Sequence, residues 1–411
     1  MAALYEEDSP LGTTYKTVVY SAMCALTIYM FWYASADYWK FAVSTITEIK
    51  DRSVEGLRMP SITVCNMDGF KRSIFCADIY RNLTRELCDL EDEVEFAGRF
   101  MNLYGDQMLQ EIADNSVFSR QDQLVSCFFA GKPCEEHWFR EKIVSFPRYG
   151  ECFCLFCDEE DAGKYGRVRG RATIDGGLSL VLRSHRSESM KSVKTPGYLV
   201  MIHYPGTMPE VNSNAVYLNG GTTTTIGLSV HVSRRLREPY VTRCQQEYHE
   251  DIVDTFGAYV TQICFKVEYA LDFFKQCGFT PEVKARSDYL DTDALCEMHP
   301  EAKECCRNLD DRNVRNGICP LVCTETTYSK QVSTSAWRLP SAKNASIFFS
   351  RLKLYFTSLS CEYTTEVPSM TFVQLINLVG GYMGMFVGFS FLIFFEIVEI
   401  IIRTCRLHLH G

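Results

Sequence analysis

The sequence predicts a membrane protein of mixed α and β structure, in which two transmembrane helices flank a large, disulfide-rich extracellular domain. Three observations carry this expectation. A long uncharged run lies near each end of the 411 residues; of 19 cysteines, all but Cys24 and Cys405 fall between those runs; and so do two glycosylation sequons, at Asn82 and Asn344. Hydrophobic residues make up 46% of the chain, which excludes a disordered protein. With 51 acidic against 42 basic residues and a net charge of −9, phosphate contacts have little support, and no nucleic-acid partner is expected.

The first run, Thr17 to Ala36, has 20 uncharged residues between Lys16 and Asp37, the length a bilayer core demands of a helix. Residues 1–16 form its cytoplasmic tail. A signal peptide fits less well, because the run is long and aromatic for a cleaved segment and follows the acidic Glu6, Glu7 and Asp8, although Ala34-Ser-Ala36 has a cleavage-like form.

The second run, Val367 to Phe395, has 29 uncharged residues. As one helix it would extend about 44 Å against a hydrocarbon core of about 30 Å, so it must tilt, protrude or break. Gly380, Gly384 and Gly388 recur along it with Gly381 alongside, a ridge that permits close approach and weakens the helix. Glu396 and Glu399 follow on one helical face before the apolar Ile400 to Ile402, and carboxylates at such a depth face water or a pore. The second span is therefore 367–402, and 403–411 is a tail carrying Arg403 and Arg406. The cysteines and sequons place 37–366 outside, with both termini cytoplasmic.

Within 37–366, β-branched and alternating stretches bounded by turn residues predict strands at Leu178–Arg183, Gly197–His203 and Ile226–Ser233. Helical spacing is read at Tyr259–Cys277 and at Ser341–Lys353, with Ser341 as N-cap and Ile347, Phe348 and Leu352 on one side. Enzyme chemistry is not expected: no His pair flanks a glutamate at i, i+4, and neither a phosphate loop nor a nucleophile elbow occurs. No cofactor is implied. Cys152, Cys154 and Cys157 form the tightest metal-like cluster, but outside the cell they read as disulfide partners, and no metal is assigned.

Two signatures about 300 residues apart now identify a resemblance. Met59-Pro-Ser-Ile-Thr-Val-Cys-Asn66 resembles the Phe-Pro-x-x-Thr-x-Cys-Asn motif that follows the first helix in the degenerin, epithelial sodium channel and acid-sensing ion channel family, with Met59 the one change. Gly380-Gly-Tyr-Met-Gly-Met-Phe-Val-Gly-Phe-Ser390 with Leu392 and Glu396 resembles its pore helix. Between them, Cys127-Phe-Phe-Ala-Gly-Lys-Pro-Cys134, Tyr149-Gly-Glu-Cys152, Gly177-Leu178, Ile202-His203, Arg237-Glu-Pro-Tyr240 and Cys319-Pro-Leu-Val-Cys323 fall in family order.

The resemblance implies a hand-like ectodomain of palm, β-ball, finger, knuckle and thumb on a trimeric pore, assembled with identical or related subunits in membrane lipid. It implies disulfides Cys65–Cys152, Cys127–Cys134, Cys244–Cys323, Cys264–Cys319, and Cys277 with Cys305 or Cys306. A further thumb rung would fall at positions 268 and 317, here Glu268 and Gly317, so both halves are lost together. Gly388, Phe389 and Ser390 would form the selectivity filter, Glu396 and Glu399 acidic rings beside it, and Asn377, Gly380, Gly381 and Gly384 the gating segment. Asn377 stands where relatives keep a small residue, and a bulky side chain there tends to hold such channels open. The family's His-Gly pair before the first helix has no counterpart here, and its aromatic three residues before the first thumb cysteine is Val241, so the thumb contact falls to Tyr240 or is absent.

The implied function is a sodium-preferring cation channel of the plasma membrane, gated through its extracellular domain and sensitive to amiloride. Two alternatives share its topology. A non-conducting two-span receptor or lipid-binding protein leaves the paired glutamates and glycine ridge without a purpose. An ATP-gated purinergic channel needs a lysine-rich nucleotide site, for which only Lys191 and Lys194 offer themselves.

Overall fold

The computed structural model describes residues 10–92, 95, 96, 99, 100, 103, 107–141, 145, 146, 150–194, 196–209, 215–246, 259–265, 268, 319–337, 347–388, 398 and 400–402. The chain divides into two units, one of Met1–Ile46, Leu236–Arg243 and Glu366–Gly411, the other of Thr47–Arg235 and Cys244–Thr365.

Helices dominate the first unit. Helix α1 (Pro10–Tyr38) contains Thr17–Tyr38, long and apolar enough to cross a bilayer. Most of its described side chains are exposed, although Ala34 is buried, with Tyr20 at 71%, Ile28 at 68% and Trp32 at 66%, an arrangement suited to a hydrocarbon solvent. Helix α2 (Phe372–Val387) is equally apolar but has 16 residues. Among the described residues, α1 alone meets the length for a span.

Two sheets build the second unit. Strands β1 (Val43–Asp51), β3 (Leu124–Phe129), β4 (Lys132–Pro133), β7 (Leu178–His185), β10 (Thr222–Arg234), β11 (Thr324–Ala336) and β12 (Ile347–Pro368) form the larger, in the order β11-β10-β12-β7-β3-β4 with β1 on β12. The smaller runs β9-β8-β2-β6-β5, from Ala215–Asn219, Gly197–His203, Ser61–Asn66, Phe153–Leu155 and Phe139–Arg140. Every pairing with a given register is antiparallel except β10 with β12.

Alternation explains the larger sheet: Leu178, Leu180 and Leu182 turn inward along β7 while the residues between them stay half-buried. In β8 and β2 every residue is buried, as expected of strands covered on both faces. One core joins Ile62, Val64, Leu155, Val200 and Ile202 of the smaller sheet to Leu180, Ile226, Leu228, Leu352, Leu354 and Phe356 of the larger. Gly177 lets β7 start close to β12, since a Cβ there would lie 2.0 Å from the Leu354 carbonyl oxygen. A second core gathers Phe70, Phe75, Phe96, Phe100, Leu109 and Ile112 around short helices, tied by Cys76–Cys88.

One expectation is corrected. Residues 347–353 are not helical; they open β12, in which Ser350, Leu352, Leu354 and Phe356 are buried in alternation. The apolar residues at 347, 348, 349, 352, 354 and 356 fit either period over a short window, and pairing with β7 and β10 decides for the strand. Residues 338–346, with Ser341 and Asn344, lie outside the described residues, as does most of the helix read at Tyr259–Cys277, of which 261–265 and 268 are helical.

Candidate pore segment

Strand β12 ends at Pro368, and the chain enters α2 through a capping box. The Thr371 hydroxyl accepts from the Gln374 amide at 3.2 Å, and Gln374 Oε1 accepts from the Thr371 amide at 2.7 Å, so two donors at the helix start are satisfied reciprocally. The Thr-x-x-Gln spacing was present in the sequence as a readable signal. Asn377, one turn further on, is exposed.

At its other end α2 stops at Gly388, which takes the left-handed conformation at φ 68°, ψ 17° while its amide donates to the Met383 carbonyl. That backbone region is open to glycine at no steric cost, so the residue type and the helix end match. Around Gly380, Gly381 and Gly388 an added Cβ would meet nothing within 4 Å, so these glycines are not filled in by this chain's own packing. Gly384 is exposed as well. Phe389, Ser390, Glu396 and Glu399 lie outside the described residues; Val398 and Ile400 to Ile402 are helical.

Between α1 and β1 an aromatic cluster assembles in the same unit. Phe41 adopts φ 46°, a left-handed conformation costly for a bulky residue, and turns the chain out of α1. Its ring meets Tyr38, Trp39 and Tyr240, and Tyr38 reaches Phe372 at the start of α2. Val241 donates its amide to the Phe41 carbonyl at 3.4 Å while its side chain stays 67% exposed. Glu366, just before α2, accepts from the Leu236 amide at 2.9 Å and the Thr242 hydroxyl at 2.8 Å. Ser369 donates its amide to Ala42 and shares a hydroxyl contact with Ser44. Phe41 and Glu366 were not singled out from the sequence, because a lone phenylalanine and a lone glutamate carry no pattern until their partners, some 200 and 130 residues away, are known.

The second unit carries disulfides Cys65–Cys152, Cys76–Cys88, Cys127–Cys134, Cys154–Cys157, Cys244–Cys323 and Cys264–Cys319. Cys277, Cys305 and Cys306 lie outside the described residues. Asn82 is exposed on the helix Arg81–Asp89, whereas its sequon partner Thr84 is buried with its hydroxyl on the Tyr80 carbonyl. Lys191 is paired with Asp89 at 2.7 Å, which weakens its candidacy as a nucleotide contact. A cavity of about 500 Å3 is bordered by Glu159, His203, Tyr204, Tyr259 and Glu325. Both carboxylates already have arginine partners, Arg58 at 2.9 Å and Arg235 at 2.8 Å, so neither stands as an unpaired charge. Burial, reinforced by Glu159, pushes the Tyr204 phenol above its ordinary range.

Comparison with known proteins joins these parts. The family described as amiloride-sensitive sodium channel matches residues 12–400. The bile acid-sensitive ion channel of Rattus norvegicus is 23% identical over 402 residues, covering 87% of this chain and 76% of that one. The epithelial sodium channel subunit gamma of Bos taurus is 24% identical over 330 residues, covering 73% and 49%. Acid-sensing ion channel 1B of Danio rerio is 22% identical over 402 residues, covering 89% and 68%. A match that runs from within α1 to the isoleucines beyond α2 takes in both sheets, and the chain belongs to the amiloride-sensitive sodium channel family, a family of ion channels and not of enzymes.

Proposed function

We propose that the chain is one subunit of a trimeric, sodium-preferring, amiloride-sensitive cation channel of the plasma membrane, with α1 and 367–402 as its two spans and both termini in the cytoplasm. Residues 37–366 form the extracellular hand, whose palm corresponds to the larger sheet and β-ball to the smaller. The observation that carries the reading is the end of α2 at a left-handed Gly388 inside an otherwise uncharged run. A helix that stops there frees backbone carbonyls, and oxygen dipoles at that depth can replace part of a cation's hydration shell. Phe389 and Ser390 continue the filter, Ser390 adding a small hydroxyl, and Glu396 and Glu399 concentrate cations beside it. Asn377, Gly380, Gly381 and Gly384 form the segment that closes it, and Asn82 and Asn344 carry glycans.

Assembly with identical or related subunits is supported by the likeness to the epithelial sodium channel gamma subunit, itself named as one subunit. Expression under voltage clamp, with sodium replaced by potassium and then with amiloride added, is the test. A current that does not discriminate between the two ions and is untouched by amiloride would overturn sodium preference and block. Absence of any current across pH, peptide and bile-acid applications would overturn the homomeric form of the proposal.

A further inference from the structure

Cys154 and Cys157 are bonded to each other, and His203 lies beside them: the two sulfurs and an imidazole nitrogen all fall within 4.8 Å of one another. The smaller sheet creates this cluster. Thr63 on β2 stands opposite both Cys154 on β6 and Met201 on β8, and His203 follows Met201 by two residues, so Cys154, Thr63 and His203 share one face.

The imidazole is fixed in a form suited to a ligand. Nδ1 lies 3.2 Å from the Tyr204 carbonyl, which can only accept, so Nδ1 carries the proton and Nε2 the lone pair, now facing the Thr63 hydroxyl at 2.9 Å. Metal-bound histidines commonly donate their second nitrogen to a backbone carbonyl in this way.

We propose that the dithiol form of this cluster is a site for a divalent cation of zinc-like softness, with Cys154 Sγ, Cys157 Sγ and His203 Nε2 as its three protein ligands. Two thiolates cancel the charge of the dication, which a buried site requires, and nitrogen–sulfur sets of this kind favour zinc over calcium or magnesium. A water molecule would complete the tetrahedral set, and His203 borders a cavity of about 500 Å3. A dithiol opens the site: its thiolate attacks one sulfur of the Cys154–Cys157 bond, giving a mixed disulfide, and its second thiolate then closes the reductant's own disulfide. Two electrons pass to the cysteines and two protons to their sulfurs; the cation later displaces both protons to solvent, and the Thr63 hydroxyl turns away from Nε2.

The bond closes the shortest loop of the six described, with a sequence separation of 3 against 7 to 87 for the others. Its opening therefore releases little chain, and the site can form without unfolding the sheet.

The test uses the full chain purified in detergent, reduced with dithiothreitol, freed of reductant without oxygen, and alkylated with and without zinc chloride before peptide mapping. Zinc is expected to slow alkylation of Cys154 and Cys157 at least tenfold while leaving Cys65, Cys76, Cys88 and Cys152 unchanged, and magnesium chloride is expected to slow none. His203→Asn should lose most of that protection. Equal alkylation of Cys154 and Cys157 with and without zinc in the parent chain overturns the site with no variant needed; undiminished protection in a folded His203→Asn overturns the histidine as a ligand.

Discussion

The ring of Tyr240 stands edge-on to the ring of Phe41, with centroids 5.9 Å apart and planes at 86°. The two residues are 199 positions apart, and the contact sits beside the backbone bond from Val241 to Phe41. Tyr240 thus makes the aromatic contact that Val241, one residue later, cannot. Edge-to-face pairs of this kind are worth about 0.5 to 1.5 kcal/mol beyond burial. In a double-mutant cycle of Phe41→Leu and Tyr240→Leu, thermal unfolding of the purified chain should show a coupling of that size; strictly additive losses would mean that the rings do not interact.

Ser390 and Gly388 should set ion selectivity, because the end of α2 is where partial dehydration by backbone oxygens is available. Replacing Ser390 with tryptophan is expected to abolish current or shift the sodium-to-potassium permeability ratio. A normal current with the parent ratio would remove Ser390 from the filter.

Glu396 should raise conductance by concentrating cations, an effect that weakens as salt screens it over about 10 Å at 0.1 M. Single-channel recordings of Glu396→Gln should show the largest deficit at low sodium and little at high sodium. If the variant matches the parent at low sodium, this carboxylate faces protein and not the conduction path.

Asn377 should disfavour closure. Three exposed asparagines brought to a threefold axis crowd it, and overpacking costs about 1 to 3 kcal/mol. A change of about 1.4 kcal/mol is tenfold in the ratio of open to closed channels. Asn377→Gly is expected to reduce resting, blocker-sensitive current by about that factor, and a parent channel with no resting current would contradict the wedge.

Asp68 should make the protein more stable on mild acidification. It is buried, neither carboxylate oxygen has a well-formed hydrogen bond among the described residues, and burial, offset only in part by the nearby Ser189, raises its pKa to about 6. A carboxyl raised above its unfolded value favours the folded state once protonated, so its destabilisation is fully present above pH 6 and is relieved as pH falls through 6 towards 4. The shift corresponds to roughly 2 to 3 kcal/mol. Asp68→Asn should raise the melting temperature at pH 7.5 and flatten its dependence between pH 7.5 and 5; a variant as pH-sensitive as the parent would show that other groups are responsible.

The α1 run and the strands at 178, 197 and 226 were legible because hydropathy and alternation are local signals, and in each case the surroundings agree with the local preference. Residues 347–353 misled because Ile347, Phe348 and Leu352 suit a helix face as well as a strand, and only partners 162 to 174 residues upstream on β7 and 128 upstream on β10 decide. The same limit hid the pairing of Cys76 with Cys88 and of Cys154 with Cys157: the sequence shows the thiols, while the fold shows which of them face each other. Thr371-x-x-Gln374 is a capping pattern readable from sequence, although charge and hydropathy alone set the expected start of this span at Val367, whereas the Phe41 turn, a phenylalanine in a conformation it seldom adopts, is imposed by the structure around it.

Helix α2 is about 24 Å long at 1.5 Å per residue, short of the roughly 30 Å of a hydrocarbon core. On the proposed topology, in which 367–402 spans the membrane, its end at Gly388 falls inside the bilayer, where lipid offers no donor for the carbonyls that every helix terminus leaves open. A single chain surrounded by acyl tails would strand those oxygens. On that reading water or neighbouring protein has to reach them, so a subunit inserted alone among acyl tails is disfavoured, and companionship in the membrane becomes part of what the proposed fold requires.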